Sequence, residues 1–240
     1  MLKIQLFISK SGYCSRRGAD ALVIEGRVKV NNICAMPGQM VDMNSIVTVD
    51  DIEVSVDHID VDTKVILLNK PRNTICSRRD PQERSSVFSL LPVLKGRSWI
   101  GVGRLDFNTE GVLLFTNDGK LAHKLMHPSS GIERTYLART FGKKLEKRDM
   151  ELIVKQGVKT ETATLKPKSL RLMNSTDRHQ SYEVVLTGGK NREIHEIFEF
   201  FDIVISRLKR VAYGSVNLDN LPKGAYRFLD QDEIDFLMGG

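Results

Sequence analysis

The chain has 240 residues, of which 41% are hydrophobic and 28% are charged. These values are ordinary for a globular protein, so they exclude a disordered chain and allow either one large domain or a small domain followed by a medium one. The formal net charge of +6 favours a polyanionic partner, because surface lysines and arginines release counterions from phosphate backbones.

Short apolar runs and scattered cysteines predict a soluble, cytoplasmic protein. The opening apolar run is broken by Lys3 and Gln5, and no other run approaches the length of a membrane span. Cys14, Cys34 and Cys76 lack CxxC spacing and a nearby histidine pair, so we expect reduced thiols and no zinc site. His123 and His127 lie four residues apart, but no third ligand accompanies them, and we expect no metal.

The charge is unevenly distributed along the chain and predicts two domains. Residues 1–40 carry a net positive charge, residues 41–62 carry acidic groups only, and the remainder is basic again. The apolar pattern fades around His58, which we expect to be a solvated linker residue. We therefore predict domains at 1–61 and 62–240.

The first domain is predicted to contain two short helices and a small sheet. The helices cover Ile4–Lys10 and Arg16–Glu25, with Ser15 as the cap of the second and Gly26 as its stop. Strands are predicted at 28–30, 46–49 and 52–56, joined by turns at 31–32 and 50–51.

The central feature of the second domain is a charged loop followed by an apolar strand. Residues 112–115 form an unbroken apolar run between Gly111 and the turn signal Asn117-Asp118-Gly119, which is typical of a strand buried on both faces. The loop before it presents Arg104 and Asp106 on this rigid support. An aspartate in a loop is usually a turn former, so residue type alone does not assign it a function.

The remaining pattern predicts further strands and helices around this motif. Residues 72–84 should form a polar loop. Strands are expected at 65–68, 133–138, 161–168 and 182–186, and helices at 120–126, 143–154 and within 188–198. The last helix has a buried stripe of Ile194, Ile197, Phe198 and Phe201.

The motif Gly103-Arg-Leu-Asp106, followed by Thr109, the apolar strand and Thr116-Asn-Asp-Gly119, resembles the signature of the RNA pseudouridine synthases. Flanking segments such as Lys70-Pro71 and Leu125-Met-His-Pro-Ser129 are most similar to the large-subunit group of the branch that modifies ribosomal RNA at single sites. Residues 1 to about 60 resemble the S4 RNA-binding module. The resemblance spans nearly the whole chain.

The resemblance implies specific roles for four residues. Asp106 would be the catalytic carboxylate, and Tyr136 would stack on the target base. Aligning Gly189-Lys-Asn-Arg-Glu-Ile194 with the family pattern puts His195 where relatives have an arginine or lysine that pairs with that aspartate, and Glu196 replaces the next arginine. We expect a protonated His195, or Arg192 from the neighbouring turn, to supply the positive charge, so activity should fall above neutrality if His195 does so.

The resemblance also implies an RNA-binding surface and a fold. A bare charge cluster is more often a solvated face, but the family favours RNA contacts. The expected fold is α+β: a small N-terminal S4-like α/β module, then a synthase domain with a mixed, largely antiparallel sheet and flanking helices. The expected RNA contacts are Lys3, Arg16, Arg17, Arg27, Lys29, Arg78, Arg79, Arg104, Arg134, Lys190, Arg207 and Arg210.

The implied substrate is a uridine of ribosomal RNA, of the 23S rather than the 16S molecule, extruded into the site of a monomeric enzyme without a cofactor. Small-subunit RNA remains the nearest alternative. A non-catalytic rRNA-binding or assembly factor is a second alternative, motivated by His195 and Glu196. A glycosidase with Asp106 and Glu110 as its carboxylate pair is a third, disfavoured because only 7% of the residues are aromatic.

Overall fold

The computed structural model describes residues 1–56, 62–94, 98–161 and 163–238. The chain divides into two compact units, one of Met1–Asp62 with Val93–Trp99, the other of Thr63–Pro92 with Ile100–Gly240. His58, expected to be a linker residue, lies outside the described residues. Within those residues, none of the helices has the length and apolar character needed to cross a bilayer.

In the first unit both predicted helices are confirmed, as α1 (Ile4–Lys10) and α2 (Arg16–Ile24). The Ser15 side chain caps α2 by accepting a hydrogen bond from the backbone N–H of Gly18. The predicted turns at 31–32 and 50–51 are also present, with positive φ at both residues of each, as tight hairpins require. The strands are β1 (Leu2–Lys3), β2 (Val28–Val30), β3 (Ile33–Cys34), β4 (Met40–Val41), β5 (Val47–Val49) and β6 (Ile52–Glu53).

The second unit is built on one large sheet. Its helices are α3 (Gly119–Met126), α4 (Lys147–Gln156), α5 (Glu193–Glu199) and α6 (Gln231–Met238). Its strands are β7 (Val65–Lys70), β8 (Ile100–Val102), β9 (Thr109–Thr116), β10 (Arg134–Phe141), β11 (Val158–Lys159), β12 (Thr164–Leu165), β13 (Ser169–Ser175), β14 (His179–Leu186), β15 (Val204–Tyr213), β16 (Val216–Asn217) and β17 (Tyr226–Phe228).

The sheet has the order β13-β14-β10-β15-β9-β7-β17, with β8 pairing to β9 and β16 to β15. Its described pairs are antiparallel except β15 with β9, which run parallel. The predicted mixed, largely antiparallel sheet is therefore confirmed. Strand β9 is buried at every residue, as its unbroken apolar run predicts, and so gives the preceding loop a rigid anchor.

Three predicted boundaries are wrong. The strand predicted at 52–56 ends at Glu53, as β6. Helix α4 begins at Lys147 rather than Lys143, because Leu145 lies buried in the segment ahead of it, where its backbone N–H donates to the Tyr182 hydroxyl at 2.9 Å. The strand predicted at 161–168 is reduced to the short β12, and the long strand of this region is β13. Residue 162 lies outside the described part.

The parallel strands approach closely at Gly111. This glycine has φ of +103°, and a Cβ built on it would lie 2.0 Å from the Arg210 carbonyl oxygen. No side chain fits this gap, because real Cβ contacts do not occur at that distance and the positive φ strains any L residue. The glycine thus fixes how closely β9 and β15 can pack.

We expect Gly111→Ala to lower the free energy of unfolding by more than about 3 kcal/mol, because it adds a backbone clash to the strain of a positive φ. Urea unfolding followed by circular dichroism measures the loss. Gly224→Ala is the matched control, since Gly224 has φ of +78° but nothing within 4 Å; it should cost only about 1–2 kcal/mol. Equal losses in the two variants would contradict the close approach.

Candidate active site

A cavity of about 530 Å³ opens in the second unit, a volume within the range of small-molecule sites. Most of its lining comes from four parts of the chain that are distant in sequence. These are the 101–106 segment, residues Arg134 and Tyr136 of β10, Arg210 of β15, and the 186–195 segment that leads into α5. The structure thus brings all four residues predicted to be catalytic, Asp106, Tyr136, Arg192 and His195, to one cavity.

Asp106 lies in the loop between β8 and β9 and is exposed to solvent. Its backbone carbonyl accepts a hydrogen bond from the Thr109 N–H at 3.0 Å, which closes the turn into β9. Its carboxylate has no hydrogen bond or ion pair within the described part of the chain. A carboxylate presented in this way is free to meet a ligand in the cavity.

Lys70, to which the sequence analysis gave no role in the site, holds the backbone of this loop in place. Its side chain is fully buried, and its Nζ donates to the carbonyl oxygens of Asp106 (3.1 Å), Phe107 (3.3 Å) and Thr109 (2.9 Å), as well as to that of Pro71. Burial lowers the pKa of Lys70. A lysine that closely follows the apolar run at residues 65–68 and directly precedes Pro71 was the available sequence signal.

Tyr136 and Arg210 are direct neighbours across β10 and β15 and form the floor of the cavity. The Arg210 side chain is buried; its Nε donates to the Val112 carbonyl oxygen at 2.7 Å, and its Nη1 lies 3.4 Å from the Tyr136 hydroxyl. Its Nη2 is buried without a hydrogen-bond partner in the structure. Such an unsatisfied charged donor is costly, so Arg210 has capacity to bind another group.

Arg134 shares the same face of β10 and is also buried. Its Nη1 donates to the carbonyl oxygens of Thr187 and Gly188, each at 2.9 Å, and its Nη2 to the Tyr213 hydroxyl at 3.1 Å. These bonds hold the segment that leads to α5 against the sheet. The guanidinium expected to contact RNA is therefore engaged inside the protein.

Neither expected source of positive charge, His195 or Arg192, forms an ion pair with Asp106 among the described residues. Burial, with a smaller contribution from Arg192, lowers the pKa of His195, and the opposing effect of Asp106 is weaker. This shift disfavours the protonated form of His195 in the free protein. Arg192 has a left-handed backbone ahead of α5, and its guanidinium donates to Glu199 at 2.8 Å instead of pairing with Asp106.

Glu110 is not a second catalytic carboxylate, so the glycosidase alternative is wrong. Its side chain is buried and does not line the cavity. Its two carboxylate oxygens accept hydrogen bonds from Nε and Nη2 of Arg207, each at 2.9 Å, and one of them lies 3.0 Å from Lys223 Nζ. Burial raises its pKa, but the hydrogen bonds from Arg207 and Lys223 outweigh this and keep the pKa below its usual value. The pair Glu110–Arg207 thus tethers β9 to β15.

The other predicted RNA contacts fall into two groups. Arg27 pairs with Glu25 and Asp50, Lys29 pairs with Asp51, Lys190 donates to the Thr164 carbonyl oxygen, and Arg78 covers the Phe88 ring. A second group is exposed, and their side chains make no hydrogen bond or ion pair with the described residues: Lys3, Arg16, Arg17, Arg79 and Arg104.

We expect Lys70→Met to loosen the Asp106 loop, because each hydrogen bond lost from a charged donor costs about 1.5–3 kcal/mol. The measurement is limited trypsin digestion, in which cleavage after Arg104 should become roughly tenfold faster at that cost in loop stability. Lys64→Met is the control, since Lys64 is exposed. Unchanged cleavage after Arg104 in Lys70→Met would mean that the lysine does not hold the loop.

The comparisons with known proteins agree with this geometry. The chain matches the family model for RNA pseudouridylate synthase over residues 64–200 and the S4 domain model over residues 2–47. It is 40% identical, over 98% of its length and 74% of the relative's, to the ribosomal large subunit pseudouridine synthase B of Vibrio cholerae.

A protein of the same name from Salmonella typhimurium is 37% identical over 99% of this chain and 82% of the relative. A crystal structure of a pseudouridylate synthase superposes with a TM-score of 0.68 at 23% identity, covering 99% of this chain and 100% of that one, and so shares its fold. The expected likeness to the large-subunit group is confirmed. The chain belongs to the RNA pseudouridine synthase family, with an S4 domain at its N-terminal end.

Proposed function

We propose that this protein converts a uridine of ribosomal RNA into pseudouridine, with Asp106 as the catalytic carboxylate. The observation that carries the proposal is the unpaired Asp106 carboxylate at a cavity floored by Tyr136 and Arg210. The relatives named as large-subunit synthases favour 23S RNA over 16S RNA as the substrate.

The reaction moves the uracil from one attachment to another without oxidation. The bond between uracil N1 and sugar C1′ breaks, the base rotates, and a bond forms between C5 and C1′, while C5 loses a proton and N1 gains one. Asp106 acts at the sugar, either by attacking C1′ or by taking a sugar proton. Either route needs an ionised carboxylate, and no step transfers electrons to a cofactor.

The target uridine must leave the stacked RNA to reach Asp106, which costs a few kcal/mol. Tyr136 offsets part of this cost by stacking on the extruded base inside the cavity. The exposed cations Arg16, Arg17, Arg79 and Arg104 hold the surrounding phosphates, and the S4 domain supplies the first two. These contacts orient the RNA, and the cavity selects the base.

We propose Arg210, rather than His195 or Arg192, as the fixed positive group of the site. Its guanidinium is permanently charged. Arg210 and Asp106 both line the cavity, and Arg210 Nη2 has no hydrogen-bond partner among the described residues. In this role it stabilises the negative charge that Asp106 and the departing uracil carry during the reaction. His195 then acts as a neutral hydrogen-bonding group, since its pKa is lowered by burial.

We expect Asp106→Asn to abolish pseudouridine formation while leaving RNA binding intact. Mass mapping of ribosomal RNA from cells that lack the gene, complemented with wild type or variant, identifies the modified uridine and its subunit. The control is Asp202→Asn, an exposed aspartate whose positive φ of 58° suits asparagine equally well. If the wild type binds RNA but restores no pseudouridine, the protein is a binding or assembly factor instead.

We expect the rate to be flat from pH 7 to 9. Burial lowers the pKa of His195 from its ordinary value of 6.5, so the imidazole has little charge left to lose above pH 7. Arg210→Met should lower kcat by at least about 100-fold, the loss typical of removing one preorganised charged donor. Single-turnover rates of wild type, His195→Ala and Arg210→Met measure both effects. A wild-type rate that falls above pH 7, and that becomes flat in His195→Ala, would restore the imidazolium hypothesis.

A further inference from the structure

The residue directly after Asp106 is an aromatic ring that the fold leaves partly bare. Phe107 keeps 36% of its surface exposed and is not among the residues that line the cavity. Its Cα is nevertheless only about 3.8 Å from that of Asp106, as for any neighbouring residues. A partly exposed aromatic side chain that directly follows Asp106 in the chain is therefore available to a ligand that extends beyond the cavity.

Hydrogen bonds hold the backbone of Phe107 in place. Its carbonyl oxygen accepts hydrogen bonds from the Asn73 N–H at 2.9 Å and from Lys70 Nζ at 3.3 Å. The neighbouring Asp106 carbonyl is held in the same way by Lys70 and by Thr109. Because this backbone is already ordered, little backbone entropy is lost when the Phe107 ring binds a partner.

A guanidinium lies beside the ring and is fixed as well. The Cζ of Arg84 is 5.7 Å from the centre of the Phe107 ring, within the range of a cation–π contact. Its Nε and Nη2 donate to the two carboxylate oxygens of Asp80 at 2.8 and 2.7 Å. The hydrogen bonds from Arg84 hold the pKa of Asp80 well below its usual range, so the pair stays ionised.

We propose that Phe107 is the stacking site for the nucleobase next to the uridine that enters the cavity. The inference rests on the proposed function and adds a subsite to it. Extruding a uridine removes the stacking partner of the adjacent base, and an exposed aromatic ring one residue from Asp106 replaces that partner. Since every base has a π face, the subsite accepts any base, and Arg84 adds a positive charge beside it.

The test uses an RNA stem-loop built around the uridine that the wild-type protein modifies, with 2-aminopurine at its 5′ or its 3′ neighbour. Fluorescence is recorded on the Asp106→Asn background, where RNA binds without turnover. One of the two positions should be quenched by stacking. The quenching should be lost when Phe107→Ala is added and retained when Phe107→Tyr is added. The control is Phe236→Ala, a ring on α6 that is 68% exposed.

In the active enzyme, Phe107→Ala should raise KM for the same RNA by about fivefold or more, as expected for one lost base–aromatic stack. Phe107→Tyr should restore it. Fluorescence that is the same with Phe107 and with Phe107→Ala at both positions overturns the subsite while the proposed function stands. A wild-type protein that modifies no uridine in either ribosomal RNA overturns the proposed function, and the subsite with it.

Discussion

The site depends on the parallel contact between β9 and β15, where the backbone of Gly111 lies against that of Arg210. Because the strands approach this closely, the guanidinium of Arg210 reaches across to the Val112 carbonyl oxygen and comes to lie beside Tyr136. The same contact fixes the start of β9, and hence the loop that carries Asp106. One backbone approach therefore positions both the Tyr136 ring and the Asp106 carboxylate.

Buried cations in this unit serve the backbone, which explains why the site can be polar and still rigid. Lys70 holds the carbonyl oxygens of the Asp106 loop, and Arg134 holds those of Thr187 and Gly188. Each satisfies carbonyl groups that irregular segments cannot pair within a sheet. Arg207 instead binds the buried carboxylate of Glu110 and so links β15 to β9. The loops around the cavity thus gain the order that secondary structure would otherwise provide.

The main elements were predictable because their signals are local. The apolar run of β9, the Ser15 cap and the hairpin turns each follow from a few adjacent residues, and each is found where expected. The start of α4 was not predictable, because it depends on a hydrogen bond between Leu145 and the distant Tyr182. The lowered pKa of His195 was not predictable for the same reason, since the burial that causes it arises only when α5 packs on the sheet.

The division of the cations changes how the net charge should be interpreted. Arg27 and Lys29 are paired with carboxylates of their own unit, and Arg134 and Lys70 are turned inward. Counterion release by RNA therefore depends on the unpaired, exposed side chains and not on the total of +6. Arg104 is one of these and lies two residues before Asp106. Under the proposed function, a phosphate drawn to Arg104 would bring its nucleotide to the Asp106 carboxylate, so one short loop with a fixed backbone would both attract the RNA and act on it.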